Sequence, residues 1–426
     1  MPRLLSAASP TRAAMKAVVL VGGFYTHMRP LTLTLPLPLL EFCNKTLLMH
    51  QLQALKDAGV SEVVVCVHES RAENSSAFDE ALRQCESALG LKITVSKESA
   101  ALGTAGPLKN AEALITDGGT NDSPFFVVNS DVLCAYPLRD LLHLHVKNGR
   151  EGTVLVTRSD RPSAYGALVV DERTGGVRHF VEKPETFISD LINAGVYVFS
   201  PSVFRRIAAG RAVSMNELLP GMADEEQLHS MLLTGYDGTR LGREPAADGP
   251  PPTRLLTPRS SRHSYWVKIT GTDTFLDAVG PHLEIMRHMS PQELTTSAAN
   301  AGAGGDGGGY TTKGDVMVHA SAKIGRGCVL GPRVVVGPGC ELADGVRLEG
   351  VTLLKGARVR GHAIVKDSLI GWGSTIGRWA YVQDCVFGED VAVKDGVLVH
   401  SATVLPHNKL KDSIRPSPTG EKKIVI

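Results

Sequence analysis

Two short segments place chemistry-capable residues at the end of an apolar run. Val18-Val19-Leu20-Val21 leads straight into Gly22-Gly23, and Phe125-Phe126-Val127-Val128 leads into Asn129-Ser130-Asp131. Glycines at such a place let backbone N–H groups approach phosphate oxygens, an approach that a side chain obstructs. Asp131 has two readings, a ligand-facing carboxylate or a strand-end turn residue. Glu182-Lys183 reads equally as a solvated ion pair, and Asn193, taken singly, as a turn residue. The seven cysteines form no C-x-x-C pair, which argues against a zinc site and a disulfide framework and points to a reducing, cytoplasmic compartment.

The elements that must position these residues alternate between two periods. From Lys16 to about Val198, short β-rich runs (Val18–Val21, Val63–Val67, Ile93–Val95, Phe125–Val128, Val154–Thr157) alternate with segments of helical spacing at Leu47–Ala58, Pro107–Leu114 and Leu138–His145. That pattern predicts an α/β layer with a mostly parallel sheet, whose ligands bind beyond the carboxyl ends of the strands. Gly22-Gly23 and Asn129-Ser130-Asp131 stand at two such ends.

With 426 residues and 43% hydrophobic content, the chain can bury two or three cores. Its 45 basic and 44 acidic residues leave a net charge of +1, no field to gather nucleic acid or an anionic membrane. No run approaches the roughly 18 to 20 apolar residues of a membrane span. Residues 1–14 read as a disordered extension, with a short transit peptide as the weaker alternative. Residues 237–263, rich in proline, arginine and glycine, read as a surface insert within a domain at 15–297. Ala298–Gly309 marks a glycine-rich linker at 298–312, and a second domain occupies 313–426.

In that second domain the period becomes six. Ile324, Leu330, Val336, Leu342, Leu348 and Leu354 follow one another at that spacing, and Ile364, Ile370, Ile376 and Val382 form a second phase. Such a hexapeptide repeat predicts a parallel β-helix in which each short strand turns one aliphatic side chain into a prism.

The stretch MKAVVLVGGFYTHMRPLTLTLPLPLL from Met15 to Leu40, then Leu102–Pro107, Val128–Asp131, Tyr165-Gly166, Phe180–Pro184 and Asn193–Tyr197, together resemble the sugar nucleotidyltransferases, specifically the mannose-1-phosphate guanylyltransferases. The resemblance covers nearly everything from Lys16 onward apart from the insert and the linker. It implies a Rossmann-like nucleotidyltransferase domain with a mostly parallel sheet, followed by a left-handed parallel β-helix. It also implies transfer of a nucleotidyl group from GTP to mannose 1-phosphate, with Mg2+ held by carboxylates. By the same resemblance, Leu20, Gly22, Gly23, Gly103, Thr104 and Asp131 contact nucleotide, Asp131 being also a metal ligand. Tyr165, Gly166, Glu182, Lys183 and Asn193 contact sugar, with Lys183 on its phosphate; Arg29 and Lys183 are the catalytic cations that remain.

Four positions depart from the family pattern. Tyr25 stands where the signature loop has a glycine, placing a ring where positive φ and close phosphate approach are expected. His27 replaces the loop arginine, exchanging a permanent forked cation for a residue type largely neutral at pH 7. Leu37 replaces a lysine between two prolines. Lys268 stands where the second metal ligand belongs. Loss of one such preorganised group typically costs about 10² to 10³ in rate.

The expected function is therefore a catalytically impaired, nucleotide-sugar-binding or regulatory subunit in GDP-mannose biosynthesis, with an active guanylyltransferase as the alternative. Its partners would be GTP or GDP-mannose and mannose 1-phosphate, within a homo-oligomer or a hetero-oligomer with a catalytic paralogue. Mg2+ is expected if the chain is active and no cofactor otherwise. The β-helix would carry association, with Trp372 and Arg378-Trp379 as candidate contacts. An acyltransferase role through His362 or His400 lacks a supporting motif, and an exposed turn histidine is the better reading of each.

Overall fold

The computed structural model describes residues 14–22, 25–68, 75–98, 102–233, 265–295, 309–416 and 422–425. Gly23, the insert at 237–263, residues 1–13 and most of the linker lie outside the described residues.

The first part is a layered α/β unit. Its strands and helices, in chain order, are β1 (Lys16–Val21), the hairpin β2 (Glu41–Phe42) and β3 (Lys45–Thr46), α1 (Leu47–Asp57), β4 (Glu62–His68), α2 (Ser75–Leu89) and β5 (Lys92–Glu98). Next come α3 (Gly106–Ile115), β6 (Phe125–Asn129), β7 (Val132–Cys134), α4 (Leu138–Asn148), β8 (Gly152–Arg158), β9 (Gly166–Val170), β10 (Val177–Glu182), β11 (Leu191–Phe199), α5 (Met215–Asp224), β12 (Leu228–Leu232), β13 (Trp266–Lys268) and α6 (Thr272–Met289). The main sheet runs β10-β9-β11-β6-β1-β4-β5. It is parallel from β6 to β5, whereas β11 pairs antiparallel with β6, β8 and β9.

β1 reads as an unbroken apolar run because both faces of the sheet are covered. Val18 and Leu20 pack with α3 and α5 on one side, Ala17, Val19 and Val21 with α1, α2 and α4 on the other. Thr46 caps α1 by accepting the Met49 N–H at 3.1 Å, and Ser214 with Glu217 forms a capping box on α5.

The C-terminal part is a left-handed parallel β-helix. Its first rung, Thr311–Thr312, pairs with Val329–Leu330 and falls at the very end of the expected linker. Val329 pairs with Arg347, eighteen residues on, but Arg347 pairs with Ile364 and Ile364 with Tyr381, each seventeen residues on. The strict count of six therefore fails where a coil is one residue short. Leu353 fills the prism, while Leu354 turns outward, and Val365 rather than the half-buried Ile364 fills the next layer. The two phases read from the sequence are one prism with a shortened corner.

The two parts share an apolar cluster. Tyr25, Met28, Leu31, Leu37 and Phe42 meet Phe275, Val279 and Leu283 of α6, and all of these join outward-facing Met317, Val335, Leu354, Leu369 and Val386 of the β-helix. Arg287 of α6 pairs with Asp315.

A buried histidine ties the first part together: His145 of α4 bonds Thr153 Oγ1 at 2.9 Å and Ser200 Oγ at 3.0 Å. Burial lowers its pKa to about 4, and burial likewise lowers His50 to about 4. Unfolding returns such residues to about 6.5, so the unfolded chain binds more protons between those values and stability falls as pH drops from about 6.5 to 4. Urea titrations across that window should show a loss on the order of 2 to 3 kcal/mol per histidine, and His145→Gln should flatten the dependence.

Candidate functional site

The carboxyl ends of β1 and β6 lie side by side, Leu20 pairing with Asn129, and open on a cleft of about 390 Å³. One wall is the turn after β6. Gln51 of α1, 1% exposed, fixes it from behind by donating to the carbonyls of Asn129 (2.9 Å) and Val132 (3.0 Å). The Tyr136 hydroxyl donates to the Val132 carbonyl at 2.5 Å. This double support holds Asp131 at the cleft. Gln51 escaped the sequence reading, although a polar residue among Leu47, Leu48, Leu52 and Leu55 on the buried face of α1 was a usable signal.

The opposite wall carries the residues that the resemblance assigns to the sugar. Tyr165, Gly166, Glu182, Lys183 and Asn193 all line the cleft. Lys183 holds φ 43 and donates its N–H to the Tyr165 carbonyl at 2.9 Å, which joins the two segments. Gly166 leaves room for the Phe180 ring and the Glu182 carboxylate, both of which a Cβ would overlap. Asn193 is oriented by its own neighbours, donating to the Tyr197 hydroxyl at 2.7 Å and accepting the Gly195 N–H at 2.9 Å. Trp266, also missed, closes this side: its ring meets Tyr165 edge-on at 5.5 Å and its Nε1 donates to the Ala194 carbonyl at 2.8 Å.

β13 brings Lys268 to the floor. It pairs antiparallel with β7, Lys268 opposite Val132, and Ile269 N–H donates to the Asp131 carbonyl at 2.8 Å. Lys268 Nζ stands 3.6 Å from Asp131 Oδ2, both side chains partly exposed. An ammonium and one carboxylate are a poor donor set for a magnesium ion, which takes oxygen ligands and avoids a cation at contact distance.

The residues expected at the nucleotide are less gathered. Thr104 and His27 line the cleft, Thr104 accepting the Met215 N–H at 2.8 Å at the start of α5. Gly103 stands beside it with φ +76, and a Cβ there would lie 2.5 Å from the Val213 carbonyl oxygen. Gly22 is exposed at the end of β1. Leu20, expected at the nucleotide, is instead 8% exposed and belongs to the core beneath the sheet, because its strand position faces α3. Arg29 is exposed and is not among the residues lining the cleft.

The departures at Tyr25 and Leu37 have a physical meaning that the sequence did not reveal. Tyr25 does adopt left-handed backbone, φ 45, but its ring does not obstruct the cleft. It is 6% exposed, packs in the cluster shared with the β-helix, and its hydroxyl bonds Ser130 Oγ at 3.0 Å. Leu37 is fully buried in the same cluster. His362 stacks on Trp379 at 4.3 Å and His400 Nδ1 bonds Ser401 Oγ at 2.8 Å, both away from the cleft lining.

The nucleotidyl transferase family matches residues 16–279, and the GMPPB C-terminal domain family matches residues 312–419. The mannose-1-phosphate guanylyltransferase catalytic subunit beta of Danio rerio is 40% identical over 405 residues, covering 95% of this chain and 99% of its own. Mannose-1-phosphate guanylyltransferase 1 of Arabidopsis thaliana is 37% identical over 401 residues, covering 94% and 98%. The chain belongs to the mannose-1-phosphate guanylyltransferase family. A further member, the mannose-1-phosphate guanyltransferase of Hypocrea jecorina, is 40% identical over 402 residues and spans 94% of this chain. Among the described residues no helix is long and apolar enough to cross a membrane.

If position 37 serves the shared core and not the cleft, Leu37→Lys should lower stability by about 3 kcal/mol or more in urea denaturation, since it forces an ammonium into apolar surroundings. Leu37→Met should cost less than about 1.5 kcal/mol.

Proposed function

We propose that this chain is a catalytically impaired member of its family that binds a nucleotide sugar, GDP-mannose by family analogy, and acts as a regulatory subunit of a cytoplasmic assembly containing an active paralogue. The observation that carries this reading is Lys268 Nζ at 3.6 Å from Asp131 Oδ2. Attack of a sugar phosphate on the α-phosphorus of GTP gathers several negative charges, and catalysis is mostly positioning and neutralisation. Here the ammonium neutralises the carboxylate that would hold Mg2+, and the loop cation has become His27. Lys268 and Lys183 then offer cations to the diphosphate of a bound nucleotide sugar without a metal. Glu182 and Asn193 offer hydrogen bonds to the sugar hydroxyls, and Gly103-Thr104 border the base.

The regulatory role requires association, for which the β-helix supplies Trp379, 68% exposed beside Arg378. Trp372 is the poorer contact because it packs against the cluster between the two parts. The competing reading, an active guanylyltransferase using Mg2+ on Asp131, draws on near full-length similarity to relatives named for that activity. It requires Lys268 to swing away and Asp131 to hold the ion with one protein carboxylate fewer.

Purified chain incubated with GTP, mannose 1-phosphate and Mg2+ should release no pyrophosphate above a protein-free blank. GDP-mannose affinity should be the same in EDTA as in Mg2+. Substantial pyrophosphate release overturns the proposal. The double variant His27→Arg with Lys268→Asp should make nucleotide binding Mg2+-dependent, an effect of at least tenfold if the ammonium is what excludes the ion.

A further inference from the structure

Resting on the reading of the cleft as a nucleotide-sugar site, we propose that His27 binds the ligand's diphosphate as an imidazolium, so that filling the cleft takes up one proton. A single 3₁₀ turn, Thr26–Met28, delivers this side chain. Tyr25 and Met28 are buried on either side of it, whereas Thr26 and His27 are exposed. Tyr25 is held at both ends. Its hydroxyl bonds Ser130 Oγ at 3.0 Å, and its carbonyl accepts the Thr32 hydroxyl at 2.8 Å and the Met28 N–H at 3.0 Å. The left-handed backbone at Tyr25, φ 45, turns the chain here, and His27 takes its place in the cleft lining.

The anchor sets where that turn sits. Ser130 precedes Asp131, whose carboxylate lies 3.6 Å from Lys268 Nζ, so the His27 turn is fastened beside the charged end of the cleft. The charged groups sharing the lining with His27 are Asp131 from the turn after β6, Glu182 and Lys183 at the end of β10, and Lys268 of β13. Two phenols, Tyr165 and Tyr197, also line it, and Arg29 of the same loop lies off it. Two carboxylates against two ammoniums leave a formal balance of zero. A nucleotide sugar's diphosphate brings two negative charges into that balance. The imidazole is available to meet them: among the described residues its ring has an edge-on contact with the Tyr25 ring, centroids 6.5 Å apart, and neither ring nitrogen has a hydrogen-bond or ion-pair partner.

Imidazole is the side chain whose charge ordinarily changes between pH 5 and 8. An adjacent anion favours its charged form, in which both ring nitrogens are donors. The bound diphosphate, a diester that does not itself titrate in that range, therefore draws a proton from solvent onto the ring. A group that gains protons on binding contributes fully at low pH and loses its contribution as pH rises. Affinity must then fall with rising pH. An arginine at this position would carry its charge at every pH. Histidine makes the same contact conditional, which suits a subunit that responds to its ligand and does not convert it.

The test is calorimetric titration of the full chain with GDP-mannose in EDTA at pH 6, 7 and 8, each in two buffers of different ionisation heat, which counts protons taken up. In the wild type, affinity should fall on the order of tenfold from pH 6 to 8, with roughly half a proton or more taken up at pH 7. His27→Gln should bind no better at any pH than the wild type does at pH 8, with no uptake. His27→Arg should also lose the pH dependence, but bind at least as tightly as the wild type at pH 6. Wild-type binding that is flat in pH without proton uptake, or a slope that survives in His27→Gln and so belongs to another group of the lining, overturns this proposal and leaves the nucleotide-sugar reading standing. Absence of GDP-mannose binding at every pH in both the wild type and His27→Arg overturns both.

Discussion

One ammonium beside one carboxylate is the contact on which the proposed reading of the cleft depends. The backbone of Lys268 is held beside Asp131, because β13 is registered against β7 and Ile269 N–H is bonded to the Asp131 carbonyl, and from there Nζ reaches to 3.6 Å of Asp131 Oδ2. The Asp131 turn is fixed from the other side by Gln51 and Tyr136. A partly exposed pair of this kind is worth no more than about 1 kcal/mol to stability. On the proposed reading its consequence is electrostatic: the carboxylate expected to attract a divalent ion already has a counter-charge, and a polyphosphate entering the cleft would meet that ammonium.

The other departures from the family pattern are coupled to a different part of the molecule. Tyr25 and Leu37 do not leave holes at the cleft; both have turned into the apolar cluster that joins the signature loop to α6 and the outer face of the β-helix. Position 37, where the resemblance implies a cation, is here a core residue, and position 25 anchors to Ser130, the residue preceding Asp131. On the proposed reading, side chains that would manage phosphate charge now serve cohesion between the two parts. That exchange suits a subunit that binds and assembles more than one that turns over substrate.

Much of this was legible from periodicity. β1, β4 and β6 announced themselves as apolar runs because both faces of the sheet are covered, and α1, α3 and α4 by their helical stripes. The β-helix was legible in both phases except at the join: a coil shortened by one residue moved the inward positions from Leu354 to Leu353 and from Ile364 to Val365, while Ile370, Ile376 and Val382 fill the prism as their spacing indicates. That Tyr165, Gly166, Glu182, Lys183 and Asn193 share one cleft was legible through motif order. What the linear chain hid was direction: it showed that Tyr25 and Leu37 had changed type, but not that they face the core. It placed Leu20 and Arg29 at the site, although one is buried beneath the sheet and the other lies off the cleft. Gln51 and Trp266 act through backbone carbonyls far away in sequence, and no local spacing encodes those bonds.

The most direct measurement is a crystal structure of the chain soaked with GTP and Mg2+. The account predicts Lys268 Nζ still against the Asp131 carboxylate, with no divalent ion between that carboxylate and the phosphates. A magnesium ion bridging Asp131 to the triphosphate, with Lys268 displaced, would contradict it.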